Sequence, residues 1–87
     1  LKLLKSPWHK ADDAMFATLD GRRGSARYHL IVEPLPADNG WDWTVWRSGD
    51  APEFSRHGYS PGLVSAIAAA EAVAERLGAH IAATVDA

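Results

Sequence analysis

The chain offers few residues whose type and spacing could do chemistry. The most suggestive run is Gly58-Tyr59-Ser60-Pro61-Gly62. It has the G-x-S-x-G spacing of a nucleophile elbow, placed between a strand-like and a helix-like stretch. In such an elbow the residue after the serine donates its backbone N–H to the oxyanion, and proline has none to give. Ser60 therefore reads as a helix cap, not as a nucleophile. His9, Asp12 and Asp13 stand at i, i+3 and i+4, a spacing that would gather metal ligands on one helical face. No His-Glu-x-x-His accompanies them, and His29, His57 and His80 are scattered, so no metal site is expected. Gly21-Arg22-Arg23-Gly24 has the G-x-x-G form of a loop that clamps a nucleic-acid backbone. That loop joins two helices, whereas the residues after Gly24 read as a strand. A hairpin turn with exposed arginines is the better account. No glycine-rich phosphate cradle and no carboxylate pair suited to acid–base work is present. Catalytic, cofactor-binding and metal-binding residues are all expected to be none, and the chain is not read as an enzyme.

What remains is aromatic surface. Trp8, Trp41, Trp43 and Trp46 accompany Tyr28, Phe54 and Tyr59. Alternation along Trp41 to Arg47 puts Trp41, Trp43 and Val45 on one side and Asp42, Thr44 and Trp46 on the other. Both sides of that strand are therefore aromatic. One helix covers only one of them. The second needs a lid: the N-terminal segment, another subunit, or a ligand. The candidate contact surface comprises Arg22, Arg23, Arg27, Trp41, Trp43 and Trp46.

The elements that must position these residues follow from periodicity. Leu63, Ile67, Ala70, Val73, Ala74 and Leu77 recur at three- and four-residue steps, one apolar stripe of a helix. Ser60 and Pro61 suit its N-cap and first position, and Gly78 suits its stop. Alanines in mid-stripe let the helix lie close to another surface, best supplied by a sheet. Ala14–Leu19, Arg27–Glu33, Trp41–Arg47 and Glu53–Gly58 read as strands. In the second, Tyr28, Leu30 and Val32 point one way. Asp20 to Gly24 and Ala37 to Gly40 are turns between them. The expected fold class is α+β: a two-layer domain with an antiparallel three- or four-stranded meander sheet covered by one C-terminal amphipathic helix. Residues 1–87 form a single small domain, with 1–13 a short helix or flexible arm and 79–87 a frayed tail.

Composition narrows the class further. The chain has 87 residues, no cysteine and a formal net charge of −2. Disulfide scaffolds, cysteine–zinc sites and thiol catalysis are excluded. No apolar run reaches the roughly 18 residues of a membrane span, and Leu-Lys-Leu-Leu-Lys is too short for a signal peptide. A start at Leu1 without methionine reads as a trimmed or excised piece. A cytoplasmic location is the expectation. Charge is uneven: residues 1–30 hold six Lys/Arg and three Asp, whereas residues 31–60 hold two Arg and five acids.

The element order, with Gly58-Tyr59-Ser60 leading into an alanine-rich helix, resembles the double-stranded-RNA-binding domain, which runs α-β-β-β-α. That family opens its last helix with lysines. Here the opening is Pro61-Gly62-Leu63-Val64-Ser65. HicB-type antitoxin domains also place a few strands before such a helix. The resemblance to both is one of topology, and neither family is assigned. The leading expectation is a non-catalytic interaction module with a protein partner or self-association, working through its sheet surface or edge strand. The alternative is a nucleic-acid-binding module using Arg22, Arg23 and Arg27 with exposed tryptophans. No membrane partner and no cofactor is expected.

Overall fold

The computed structural model describes residues 7–22, 26–49 and 54–80. Five strands, β1 (His9–Ala11), β2 (Ala14–Asp20), β3 (Arg27–Pro34), β4 (Trp41–Ser48) and β5 (Phe54–Ser60), precede one helix, α1 (Leu63–Leu77). The strands pair antiparallel in the order β1-β2-β3-β4-β5, a meander in which each neighbour in sequence is a neighbour in space. Short connections make this pairing cheap in loop entropy. The α1 helix packs on β3, β4 and β5. The fold is thus a two-layer α+β arrangement with one more strand than the expected three or four.

The additional strand is β1, and it corrects the reading of residues 1–13 as a short helix or flexible arm. His9, Lys10 and Ala11 pair with Phe16, Met15 and Ala14 across a two-residue turn in which Asp12 has φ 56°. Aspartate tolerates that conformation better than most residues because its short side chain can bond locally. Trp8 is half-buried against the helix side, where its Nε1–H donates to the Glu71 carboxylate at 2.7 Å. Replacing Trp8 by Phe keeps the ring and removes this donor. The expected result is a loss of about 1 kcal/mol, with faster hydrogen exchange confined to the β1 amides. Unchanged exchange there would show that the bond does not hold β1.

Alternation decides which side of the sheet becomes core. Ala17 and Leu19 of β2, Tyr28, Leu30 and Val32 of β3, and Val45 of β4 are buried. Their cross-strand registers, Leu19 with Tyr28, Ala17 with Leu30 and Leu30 with Val45, put them on one face. Ala66, Ala70 and Ala74 of α1 are fully buried over them. The three alanines, one turn apart, mark the line of closest approach, while Ile67, Val73 and Leu77 flank it half-buried. The buried line is shifted from the expected stripe to include Ala66.

The helix ends differ from expectation at one side only. Ser60 is not the N-cap. It closes β5 and is buried, and the cap position falls to Gly62, two residues later. Ser65 supplies the side-chain contribution instead: its hydroxyl accepts from the Gly62 N–H at 3.3 Å and donates to the Gly62 carbonyl at 2.9 Å. At the other end Gly78 terminates the helix as expected, with φ 122°. Its N–H donates to the Glu75 carbonyl at 3.1 Å, and the Ala79 N–H to the Ala74 carbonyl at 2.9 Å. This pair of bonds is the Schellman pattern, and buried Ala79 and Ala74 supply its apolar contact. Ala79 also bridges Gly21, so the start of the segment read as a frayed tail is pinned to the sheet. Residues 81–87 lie outside the described residues.

Candidate contact surface

The sheet has one covered and one open side, and the expected contact residues divide between them. Trp43 lies on the helix side with Val45 and packs half-buried against the core. Trp41, two residues earlier, shares that side by alternation and is half-buried. Arg22 also belongs there, because its guanidinium lies 3.6 Å from the Glu75 carboxylate of α1. Arg23 lies outside the described residues. Of the five that are described, Trp46 and Arg27 fall on the open side. The six residues therefore do not form one surface.

Registers across the four long strands define the open face. One row runs Thr18, His29, Trp46, Ser55, and the next runs Phe16, Ile31, Thr44, His57. Trp46 is 39% exposed, and its indole stacks on the His29 ring with centroids 5.2 Å apart and planes 21° apart. His29 Nε2 and Ser48 Oγ are hydrogen-bonded at 2.7 Å, which fixes the imidazole beneath the indole. At the β1 edge His9 lies against Phe16, ring centroids 5.4 Å apart. Tyr59, 57% exposed, extends the aromatic area along β5. Its ring lies over Gly40, where an added Cβ would stand 2.6 Å from the phenol oxygen.

The face is weakly acidic. At one end Arg27 sits 3.8 Å from Asp20, both side chains well exposed. At the other, Glu33 and Asp42 are cross-strand partners with exposed side chains. The described N-terminal residues extend the sheet edge and turn Trp8 toward the helix, so they do not lie across this face. The aromatic excess was legible in sequence. The roles of His29, Phe16 and Ile31 were not, because they depend on which residues pair across strands.

Among the described residues no three His, Asp or Glu side chains gather closely enough to hold a metal ion. Ser60 is buried at the end of β5, two residues before the helix cap at Gly62. No helix among the described residues is long and apolar enough to cross a membrane. No protein-family model matches the chain, and no curated protein or solved structure matches it significantly.

Proposed function

We propose that this chain is a non-catalytic interaction module whose contact surface is the open face of the sheet and whose partner is a second copy of itself. The observation that carries the reading is Trp46, 39% exposed and stacked on His29 in the middle of a face that nothing described in the chain covers. A large indole held rigid in that way loses little conformational entropy on being buried, the property of an interface anchor. Charge favours a second copy. If the strands of two copies run antiparallel across the interface, the Arg27 end of each face meets the Glu33 and Asp42 end of the other.

Size and polarity set the strength. Strands about 3.4 Å per residue and about 4.8 Å apart give a face of roughly 20 by 25 Å, below the roughly 800 Å² per partner of a standard interface. Threonine, serine and histidine alternate with the aromatics. A weak, reversible pair in the micromolar range fits such a face better than a permanent dimer. A cytoplasmic setting goes with this proposal on the absence of cysteine alone.

Sedimentation velocity over a dilution series tests it. The wild-type weight-average coefficient should rise with concentration, and Trp46→Thr should weaken association about 30-fold, the loss expected of one anchoring tryptophan. A strictly monomeric wild type, or a variant that associates equally well, overturns the reading. The nucleic-acid alternative has Arg27 and Trp46 on one face in its favour. The same face carries Asp20, Glu33 and Asp42, which outnumber the cation, so phosphate binding there is the lesser reading.

A further inference from the structure

On the opposite side of the sheet, between α1 and the edge strand β5, lies a cleft of about 290 Å³ lined by Trp43, Arg56, His57, Val73, Arg76 and Leu77. Its chemistry is divided. Val73, Leu77 and the Trp43 ring offer an apolar wall. Arg56 and Arg76, both exposed, line the cleft from different elements, and neither is ion-paired among the described residues. By contrast, Arg22 and Arg27 each face a carboxylate. The Trp43 indole N–H is buried and has no hydrogen-bond partner among the described residues. Such a donor is uncommon in a folded protein, and the indole ring that carries it forms part of the cleft wall. Gly58 makes room for the ring: a Cβ there would stand 2.7 Å from Trp43 Cε2 and 3.1 Å from Nε1.

We infer that this cleft binds a small organic acid, an aryl or branched-alkyl monocarboxylate. The apolar body lies against Val73, Leu77 and the indole, and the carboxylate is held between Arg56 and Arg76. Two guanidinium groups suit the two oxygens of one carboxylate. A volume near the lower end of ligand pockets limits the body to about one ring. Arg56 shares the helix side with Leu30 and Val45 by register, and only His57, at the β5 edge, borders both this cleft and the open face, so the site stands or falls independently of self-association.

The test uses the intact chain and 3-phenylpropionate as probe, read at the Trp43 indole N–H in a ¹⁵N correlation spectrum assigned with Trp43→Phe. The expected result is a saturable shift of that resonance, with a dissociation constant on the order of 1 mM, as suits so small a ligand. Binding should weaken about tenfold in Arg56→Gln and in Arg76→Gln, and further in the double variant. Both positions are exposed, and the remaining resonances report whether the fold is kept. 3-Phenylpropionamide, the neutral isostere, should leave the resonance unmoved. Equal binding of the amide would mean an apolar slot without anion recognition. An equal shift with inorganic phosphate would mean a simple anion site. Either result, or no saturable shift at Trp43 up to about 20 mM acid, or undiminished binding in the double variant, overturns the inference.

Discussion

Ala70→Leu is expected to destabilise the fold by about 3 kcal/mol, the largest effect of any conservative substitution considered. Ala70 is fully buried at the centre of the line formed with Ala66 and Ala74, over Leu30 and Val45, which are themselves almost completely enclosed. Three added carbons at a position with no solvent exposure must displace the helix or its neighbours. Either α1 lifts from the sheet or the strand side chains leave their rotamers, and both cost dispersion along the whole contact. Leucine is a good helix former, so propensity cannot account for a loss. Urea unfolding followed by circular dichroism measures it as a lower midpoint. Val64→Leu, at a position 82% exposed on the same helix, should change stability by less than about 0.5 kcal/mol. A tolerant Ala70 would mean that the helix does not lie as close to the sheet as the three alanines imply.

Gly78→Ala comes next, at about 2–3 kcal/mol. Two costs combine. Gly78 has φ 122°, outside even the left-handed region that other residues occasionally visit. A Cβ there would also stand 2.8 Å from the Tyr28 hydroxyl oxygen. That hydroxyl donates to the Leu77 carbonyl at 2.8 Å and ties the end of α1 to the middle strand. Moving it leaves a carbonyl at the helix terminus without this partner. A double-mutant cycle with Tyr28→Phe separates the two costs. If the clash matters, Gly78→Ala costs less in the Tyr28→Phe background, whereas a purely backbone effect gives the same loss in both.

The sequence carried most of the fold because its local signals agree with the pairing. In β3 the alternation of Tyr28, Leu30 and Val32 identifies the covered face, and those three side chains are buried. The Trp41, Trp43 and Val45 set was equally legible, and Gly78 stops the helix where expected. Two elements escaped. The β1 strand has three exposed residues with no apolar alternation, and Ser6-Pro7 before it resembles a helix start. Its pairing is fixed by β2, which no local pattern reveals. The N-terminus of α1 was placed two residues early because Ser60-Pro61 has cap chemistry while β5 continues through Ser60. The contact residues were harder still. Trp46 could be assigned to the side opposite Trp43 by counting, but its stack on His29 arises from β3–β4 register. The β5–α1 cleft joins residues 56–57 to residues 73–77 only through packing.

The most direct test of the central claim, that the open face of the sheet is the contact surface, is the concentration dependence of backbone and indole chemical shifts in the intact chain. Dilution should move Phe16, Thr18, His29, Ile31, Thr44 and the Trp46 indole together, while the Trp43 indole and the α1 amides stay fixed. Shifts that do not change with concentration, or that gather on the outer side of α1, would contradict it.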